Sequence, residues 1–290
     1  MDESFRIFAS IATAIVIEAM PFLAVGSLLS ALVEVFVSAE RVSRHAPRRL
    51  VPQVVLGITA GFALPTCECG VVPVVRRLLK KGVPGPTAIG YLLAAPIVNP
   101  VVLASTFVAF RGSWWMVAGR AGIALVVAGI VALLLRRTSP AELIRAGAAA
   151  SDHDHDHDEG GSRFVHVWQH AASDFLEMGK YLVLGAFAAA ALKTFLPLDV
   201  VGRFEGDLVL SITGMMVLAI LLSVCSEADA FVAASFVTFP AAAHLAFITI
   251  GPMVDIKLIG LYAVTFRGRV MLALVVVPII LVFALCLGLG

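Results

Sequence analysis

The chain has 290 residues, of which 60% are hydrophobic and 14% are charged, and its formal net charge is +1. Soluble domains carry about 25% charged residues, so this composition excludes an ordinary soluble domain and indicates lipid as the solvent. The near-zero net charge gives no sign of a nucleic-acid partner. All four cysteines lie in apolar segments, which argues against a secreted disulfide framework.

Eight apolar runs approach or exceed the roughly 20 residues that a helix needs to cross the hydrocarbon core of a bilayer. They are 7–37, 50–66, 86–110, 114–135, 168–196, 207–225, 242–266 and 269–289. Two shorter stretches, 67–80 and 226–240, are predicted to be half-helices or re-entrant hairpins, which are tolerated only where protein or water surrounds them. The predicted fold is therefore an all-α polytopic membrane protein with about eight transmembrane helices and two short helices.

The two halves of the sequence share three landmarks in the same order. Residues 18–26 resemble 177–185, Cys67-Glu68 corresponds to Cys225-Ser226-Glu227, and residues 95–99 match 251–255. This pattern predicts two repeats, at 1–137 and 166–290, joined by a His/Asp-rich linker at 138–165. The alternative is that small, apolar membrane helices simply look alike.

The distribution of Lys and Arg predicts the orientation of the repeats. Four basic groups, around residues 41–49, 76–81, 136–163 and 267–269, are placed in the cytoplasm together with the linker. Both termini then lie outside, and each half makes five full or partial passes. An odd number of passes per half makes the repeats inverted, as in many secondary transporters.

The most informative local motif is Cys67-Glu68-Cys69, which lies between apolar runs. Thiolates bind soft ions, and an ionisable side chain inside a membrane is costly and usually functional. Pro65 and Gly70 favour an irregular turn in which the two thiols converge. The alternatives are that the cysteines only fill space, or that they form a redox pair.

The second half supplies a corresponding set of candidate residues. Cys225, Glu227 and Asp229 lie in an apolar neighbourhood, where carboxylates are expected to face a cavity rather than lipid. Asn99 and Asp255 each follow a proline by three residues, and a proline-broken helix frees backbone carbonyls for a substrate or ion. These residues are predicted to join the substrate site; helix capping and a surface location are the alternatives.

Two further groups are candidates for roles outside the substrate site. Glu18 and Glu177 lie in the middle of equivalent apolar segments, which suits proton coupling, although a hydrogen bond between helices is the alternative. His153, His155 and His157 alternate with aspartates in the linker and are predicted to bind a divalent metal weakly, if the linker is not simply solvated.

Taken together, these motifs resemble the ArsP-like permease family, also called YraQ-type permeases. The resemblance rests on residues 64–73 (LPTCECGVVP), 82–84 (GVP), 94–100 (AAPIVNP) and 225–231 (CSEADAF), and it spans the chain apart from the His/Asp stretch. It implies a bacterial inner-membrane permease with about eight transmembrane helices, and characterised relatives export trivalent organoarsenicals such as methylarsenite.

The expected function is therefore a secondary transporter, not an enzyme, that exports a small thiophilic solute and needs no cofactor. No phosphate-binding loop of the GxxxxGK[ST] type occurs in the sequence, so this chain is not expected to hydrolyse ATP. The alternatives are a divalent-metal transporter, a membrane thiol–disulfide electron carrier, and a subunit that requires a partner. Assembly into a homo-oligomer is a further alternative.

Overall fold

The structure is a computed structural model that describes residues 2–36, 47, 49–63, 66–145, 163–195 and 207–290. The described part of the first half contains six helices. They are α1 (Asp2–Phe36), α2 (Leu50–Ala63), α3 (Glu68–Lys80), α4 (Gly85–Val98), α5 (Pro100–Ala109) and α6 (Trp114–Leu134). The single-turn helix α7 (Pro140–Leu143) follows.

The described part of the second half also contains six helices. They are α8 (Arg163–Phe195), α9 (Leu208–Leu222), α10 (Asp229–Ser235), α11 (Ala241–Ile250), α12 (Ile256–Thr265) and α13 (Gly268–Leu289). The described ranges contain no β-strand, apart from an isolated antiparallel bridge between Ile144 and Phe266. The all-α class predicted from sequence is thus confirmed.

The helices of the two halves correspond in order, from α1 with α8 to α6 with α13. The first pair, α1 and α8, packs along its length and runs antiparallel. Ser30, near the end of α1, donates to Asp174 in the first half of α8, while Ile15 packs against Ala186 and Ala189. Equivalent helices that run in opposite directions are what inverted repeats require. The boundaries at 137/138 and 165/166 remain predictions.

Two of the eight predicted runs are broken into shorter helices. The run 86–110 is interrupted at Asn99, and the run 242–266 is interrupted between Ile250 and Ile256. At the first break, Pro100 occupies the first position of the new helix, where its missing N–H is not needed. The two predicted short segments are short helices, with 13 residues in α3 and 7 in α10.

Four stretches of the described chain are long and apolar enough to span a membrane. They are Phe5–Val33, Gly85–Ala109, Trp114–Leu134 and Gly268–Leu289. Shorter apolar helices, Leu50–Ala63, Leu208–Leu222, Ala241–Ile250 and Ile256–Thr265, pack beside them. Many large apolar side chains remain exposed, Val237 by 82% and Trp114 by 71%, as expected for a surface covered by lipid.

Helices α2 and α4 approach closely because small residues line their contact. Gly57 and Gly61 form a GxxxG pair on α2, and a Cβ placed on Gly61 would lie 2.8 Å from the Cα of Ala95. A Cβ on Gly57 would collide with the carbonyl oxygen of Thr87. In membranes, such close packing replaces the hydrophobic driving force that associates helices in water.

The beginning of the linker is attached to the end of α12. The backbone N–H of Arg145 donates to the carbonyl of Thr265, and that of Arg267 donates to Leu143. On α7, the Ser139 N–H donates to the Glu142 carboxylate over 3.0 Å, and this hydrogen bond lowers the Glu142 pKa from its ordinary value. The two halves are thereby connected beside the point where α12 meets α13.

Candidate functional site

The Cys67-Glu68-Cys69 motif forms the buried beginning of α3. Cys67 is the N-cap residue, and its Sγ accepts a hydrogen bond from the Gly70 N–H at 3.3 Å. Glu68 occupies the first turn, where the partial positive charge of the helix N-terminus favours a carboxylate. The three side chains are only 4%, 1% and 1% exposed. The predicted irregular turn is therefore a helix cap, and the cap fixes the direction of Glu68.

Glu68 connects the two halves of the protein. Its Oε1 lies 3.5 Å from the ammonium nitrogen of Lys257, and its Oε2 accepts a hydrogen bond from the Ser226 hydroxyl at 3.2 Å. Lys257 also lies 3.5 Å from Oδ2 of Asp255. We name Glu68, Ser226, Asp255 and Lys257 the carboxylate–lysine cluster. All four residues are at most 1% exposed.

Glu227 borders this cluster on a more open side. The Ser226 hydroxyl also lies 3.3 Å from the Glu227 carboxylate, and Glu227 is half-buried rather than enclosed. Two carboxylates thus share one hydroxyl at the edge of a buried polar site. Such an arrangement favours a proton or a positively charged group between them.

Asn99 and Asp255 are both helix caps at the two helix breaks. The Asn99 side chain accepts from the Val101 N–H at 2.9 Å, and Asp255 Oδ1 accepts from the Leu258 N–H at 2.6 Å. Only Asp255 also reaches the carboxylate–lysine cluster. The capping alternative raised by the sequence thus describes Asn99, whereas Asp255 is a cap and a cluster member.

Asp229 is engaged by Arg120 of α6. The guanidinium donates to both carboxylate oxygens, at 3.0 and 2.6 Å, and also to the Thr106 hydroxyl at 2.7 Å. The side chains of Arg120 and Asp229 are 0% and 2% exposed. Arg120 further donates to the Ser226 carbonyl at 3.4 Å. This bidentate bridge ties α6 to the Cys225–Asp229 turn.

Three thiols without disulfide bonds lie near the cluster. Cys67, Cys69, Cys225 and Cys286 are all free and buried. Cys67, Cys69 and Cys225 each lie close enough to Glu68 to interact with it electrostatically. Within the described ranges, no group of three or more His, Cys, Asp or Glu side chains has an arrangement that could hold a metal ion.

The two glutamates predicted to be equivalent have different surroundings. Glu177 is partly buried and pairs with Arg76 of α3 at 2.8 Å. Glu18 is exposed on α1, one residue from the midpoint of that helix, and lies within electrostatic range of Cys225. The exposed Glu18 lacks the burial expected of a proton-coupling carboxylate, and the role of both glutamates in proton coupling stays a prediction. The histidines His153, His155 and His157 lie outside the described residues.

Sequence reasoning missed several polar contacts. Ser226 carries no pattern that distinguishes it from a packing serine, yet it joins Glu68 to Glu227. Asp174 was also missed: it accepts two 2.8 Å bonds from Arg77 and one 2.7 Å bond from Ser30. An aspartate within an apolar helix is a signal of the same kind as Glu68, and it could have been found by that criterion.

The fold and the site define a polytopic membrane permease with a buried polar cluster where its two halves meet. The chain belongs to the ArsP_1 family of predicted permeases, whose pattern matches residues 4–289. It is 38% identical over 284 residues to "UPF0718 protein YcgR" of Bacillus subtilis (strain 168), covering 98% of this chain and 97% of that protein.

A second relative comes from Streptococcus mutans serotype c (strain ATCC 700610 / UA159). It is named "Putative two-component membrane permease complex subunit" and is 36% identical over 278 residues, covering 95% of this chain and 92% of that protein. No solved structure matches this chain significantly. The resemblance inferred from the sequence motifs is therefore confirmed, and with it a multi-pass membrane location.

Proposed function

We propose that this permease is a secondary transporter that exports a small thiophilic solute, such as a trivalent organoarsenical, across the bacterial inner membrane. The carrying observation is the position of Glu68, which stands between two cysteines of the first half and contacts Ser226 and Lys257 of the second. Soft thiol ligands and buried carboxylates at one location suit a soft, electropositive solute.

The residues of the proposed site have distinct roles. Cys67, Cys69 and Cys225 supply thiols, whereas Glu68 and Asp255 supply charge. A second set shapes or borders the site: Glu227 at its half-buried edge, Asp229 through its bridge to Arg120, and Asn99 through the cap of α5. Glu18, exposed at the middle of α1, and Glu177, partly buried on α8, are the proposed proton-coupling groups.

Transport in everted membrane vesicles tests this function. Phenylarsenite, methylarsenite and antimonite are offered separately, with Zn²⁺ and Cd²⁺ as competing candidates. We expect uptake of an arsenical that falls at least about tenfold in Cys67→Ser and Glu68→Gln, a loss of at least ~1.4 kcal/mol of transition-state stabilisation. Arg137→Gln, an exposed charge on the chain, is the control.

Each alternative function predicts a different result in the same vesicles. A divalent-metal transporter would take up Zn²⁺ or Cd²⁺ and ignore the arsenicals. A thiol–disulfide carrier would show a reversible disulfide during turnover when its cysteines are trapped by alkylation. Normal insertion and wild-type export by Cys67→Ser and Glu68→Gln would show that the motif is only structural.

We also propose that the chain works with a second membrane subunit, the assembly named for the Streptococcus mutans relative. The outer faces of α1 and α8 support this. Glu18 and Lys180 are both exposed, and each lies one residue from the midpoint of its helix, among exposed apolar side chains such as Leu176 and Leu184. A charge facing lipid at mid-membrane costs about 2.5–3.5 kcal/mol on insertion scales, so a cover for these charges is favoured.

A further inference from the structure

We propose that Lys257 is a tethered counter-cation: its ammonium pairs with the Glu68 and Asp255 carboxylates and is displaced when the electropositive centre of a solute binds there. This inference rests on the proposed transport site but assigns a residue and an event that the transport function does not require. The ligand class is a soft cation or a hydroxylated metalloid, since both present a positive centre to the carboxylates.

The first argument is the length of the lysine contacts. The Lys257 nitrogen lies 3.5 Å from one oxygen of each carboxylate. The bridges Arg120–Asp229 and Arg77–Asp174 close to 2.6 and 2.8 Å, within the range of charge-assisted hydrogen bonds. The lysine thus stays farther from its partners than either arginine does. A compact ammonium on a flexible stem is suited to leave such a contact.

The second argument is how the carboxylates use their oxygens. Glu68 accepts from Ser226 with Oε2, and Asp255 accepts from the Leu258 N–H with Oδ1. Each carboxylate is oriented through one oxygen and presents the other to Lys257. Those two presented oxygens and the lysine nitrogen are buried and have no hydrogen-bond partner within the described part of the chain. Three such polar groups that face one another define a subsite ready to accept a further ligand.

The third argument is charge. By formal charge, two carboxylates and one ammonium sum to −1 in a buried region, and half-buried Glu227 borders it. Lys257 therefore offsets only part of the negative charge. An incoming positive centre gains from the remaining charge and competes with the ammonium for the same two oxygens.

The fourth argument is that the lysine backbone is fixed while its side chain is not hydrogen bonded. A Cβ on Gly185 of α8 would lie 2.9 Å from the Lys257 Cα, so α8 presses directly on this position. Asp255 caps α12 two residues earlier. Displacement must therefore occur through side-chain rotation rather than through movement of α12 alone.

The first experiment needs no transported solute. Purified Lys257→Ala protein in detergent is unfolded thermally with increasing ethylammonium chloride, which can refill the place of the missing ammonium. We expect a concentration-dependent rise of the unfolding temperature in Lys257→Ala and none in the wild type or in Lys180→Ala, which removes an exposed lysine of α8. Tetramethylammonium, which has no N–H donor, should give no rise.

The second experiment uses soft probes and the variant Lys257→Gln, which keeps a long polar side chain at this position. Without the competing ammonium, Cd²⁺ or phenylarsenite should bind about tenfold more tightly than to the wild type, measured by titration calorimetry, while Lys257→Arg should bind more weakly because its fork closes the bridge. If the wild type binds either probe, equal or weaker binding of that probe by folded Lys257→Gln would overturn the proposal.

The two experiments separate this inference from the proposed function. A rise with ethylammonium and no binding of either soft probe would keep the lysine subsite and reject a thiophilic substrate. Arsenical transport without any response to ethylammonium in folded Lys257→Ala would keep the transport function and reject the tethered cation. If Lys257→Ala does not fold, the Lys257→Gln titration decides alone.

Discussion

Removal of the Arg120 guanidinium should destabilise the protein severely, because Asp229 would then be a buried charge without its partner. Both side chains are almost fully enclosed, and the two bonds of 3.0 and 2.6 Å satisfy both carboxylate oxygens. Removing one member of a buried ion pair costs about 3–5 kcal/mol. At about 1.4 kcal/mol per factor of ten, the unfolding constant of Arg120→Met should rise by roughly 10²–10³·⁵.

The double variant Arg120→Met/Asp229→Leu should recover most of this loss. Replacing a whole buried pair with apolar residues of similar volume is often neutral or stabilising. Thr106 stays satisfied in the double variant because its hydroxyl also donates to the Val102 carbonyl at 2.8 Å. SDS-induced unfolding in mixed micelles measures the free energies of all four proteins in the cycle, with exposed Arg137→Met as control.

The reasoning fails if Arg120→Met unfolds with a free energy within about 1 kcal/mol of the wild type, or if the double variant is less stable than both single variants. Transport by the stable double variant then decides the role of Asp229. Wild-type transport would show that the bridge only supports the turn. Loss of transport despite normal stability would support the direct substrate contact expected from the sequence.

Three other predictions follow from the packing and the charge distribution. Gly61→Ala should lower the free energy of unfolding by about 1–3 kcal/mol because the added Cβ meets the backbone of Ala95. The control Gly129→Ala, whose added Cβ faces open space, should change this free energy by less than about 0.5 kcal/mol. SDS-induced unfolding measures both variants. Deleting 151–160 should leave a folded protein with vesicle transport near wild type. A cysteine at position 155 should react with an impermeant maleimide only after permeabilisation, and labelling from outside would contradict the cytoplasmic linker.

Much of the architecture could be predicted because it depends on local rules. Pro96 and Pro100, together with the polar Asn99 between them, predict the break between α4 and α5. The short length and the polarity of residues 67–80 and 226–240 predict the short helices α3 and α10. A glutamate between two cysteines in an apolar context indicates the candidate site, because lipid cannot solvate a carboxylate.

The rest depended on contacts between segments far apart in sequence. Counting basic residues grouped Arg76 and Arg77 with Lys80 and Lys81 as one cytoplasmic cluster. The two arginines are also buried and pair with Glu177 and Asp174, about 100 positions later in the chain. Charge counting cannot detect this, because it scores the sign of a side chain and ignores the face of the helix on which that side chain lies.

The repeat predicted from the sequence relates two glycines that pack against the carboxylate–lysine cluster. Gly26 and Gly185 occupy equivalent positions of the two repeats, on the antiparallel helices α1 and α8. Gly26 packs directly against Gly70, two residues from Glu68, and Gly185 packs against Lys257 itself. Helix α1 therefore packs beside Glu68 and helix α8 packs against Lys257, the two residues joined by the 3.5 Å contact. We therefore expect a rotation of this pair relative to the short helices to change that separation.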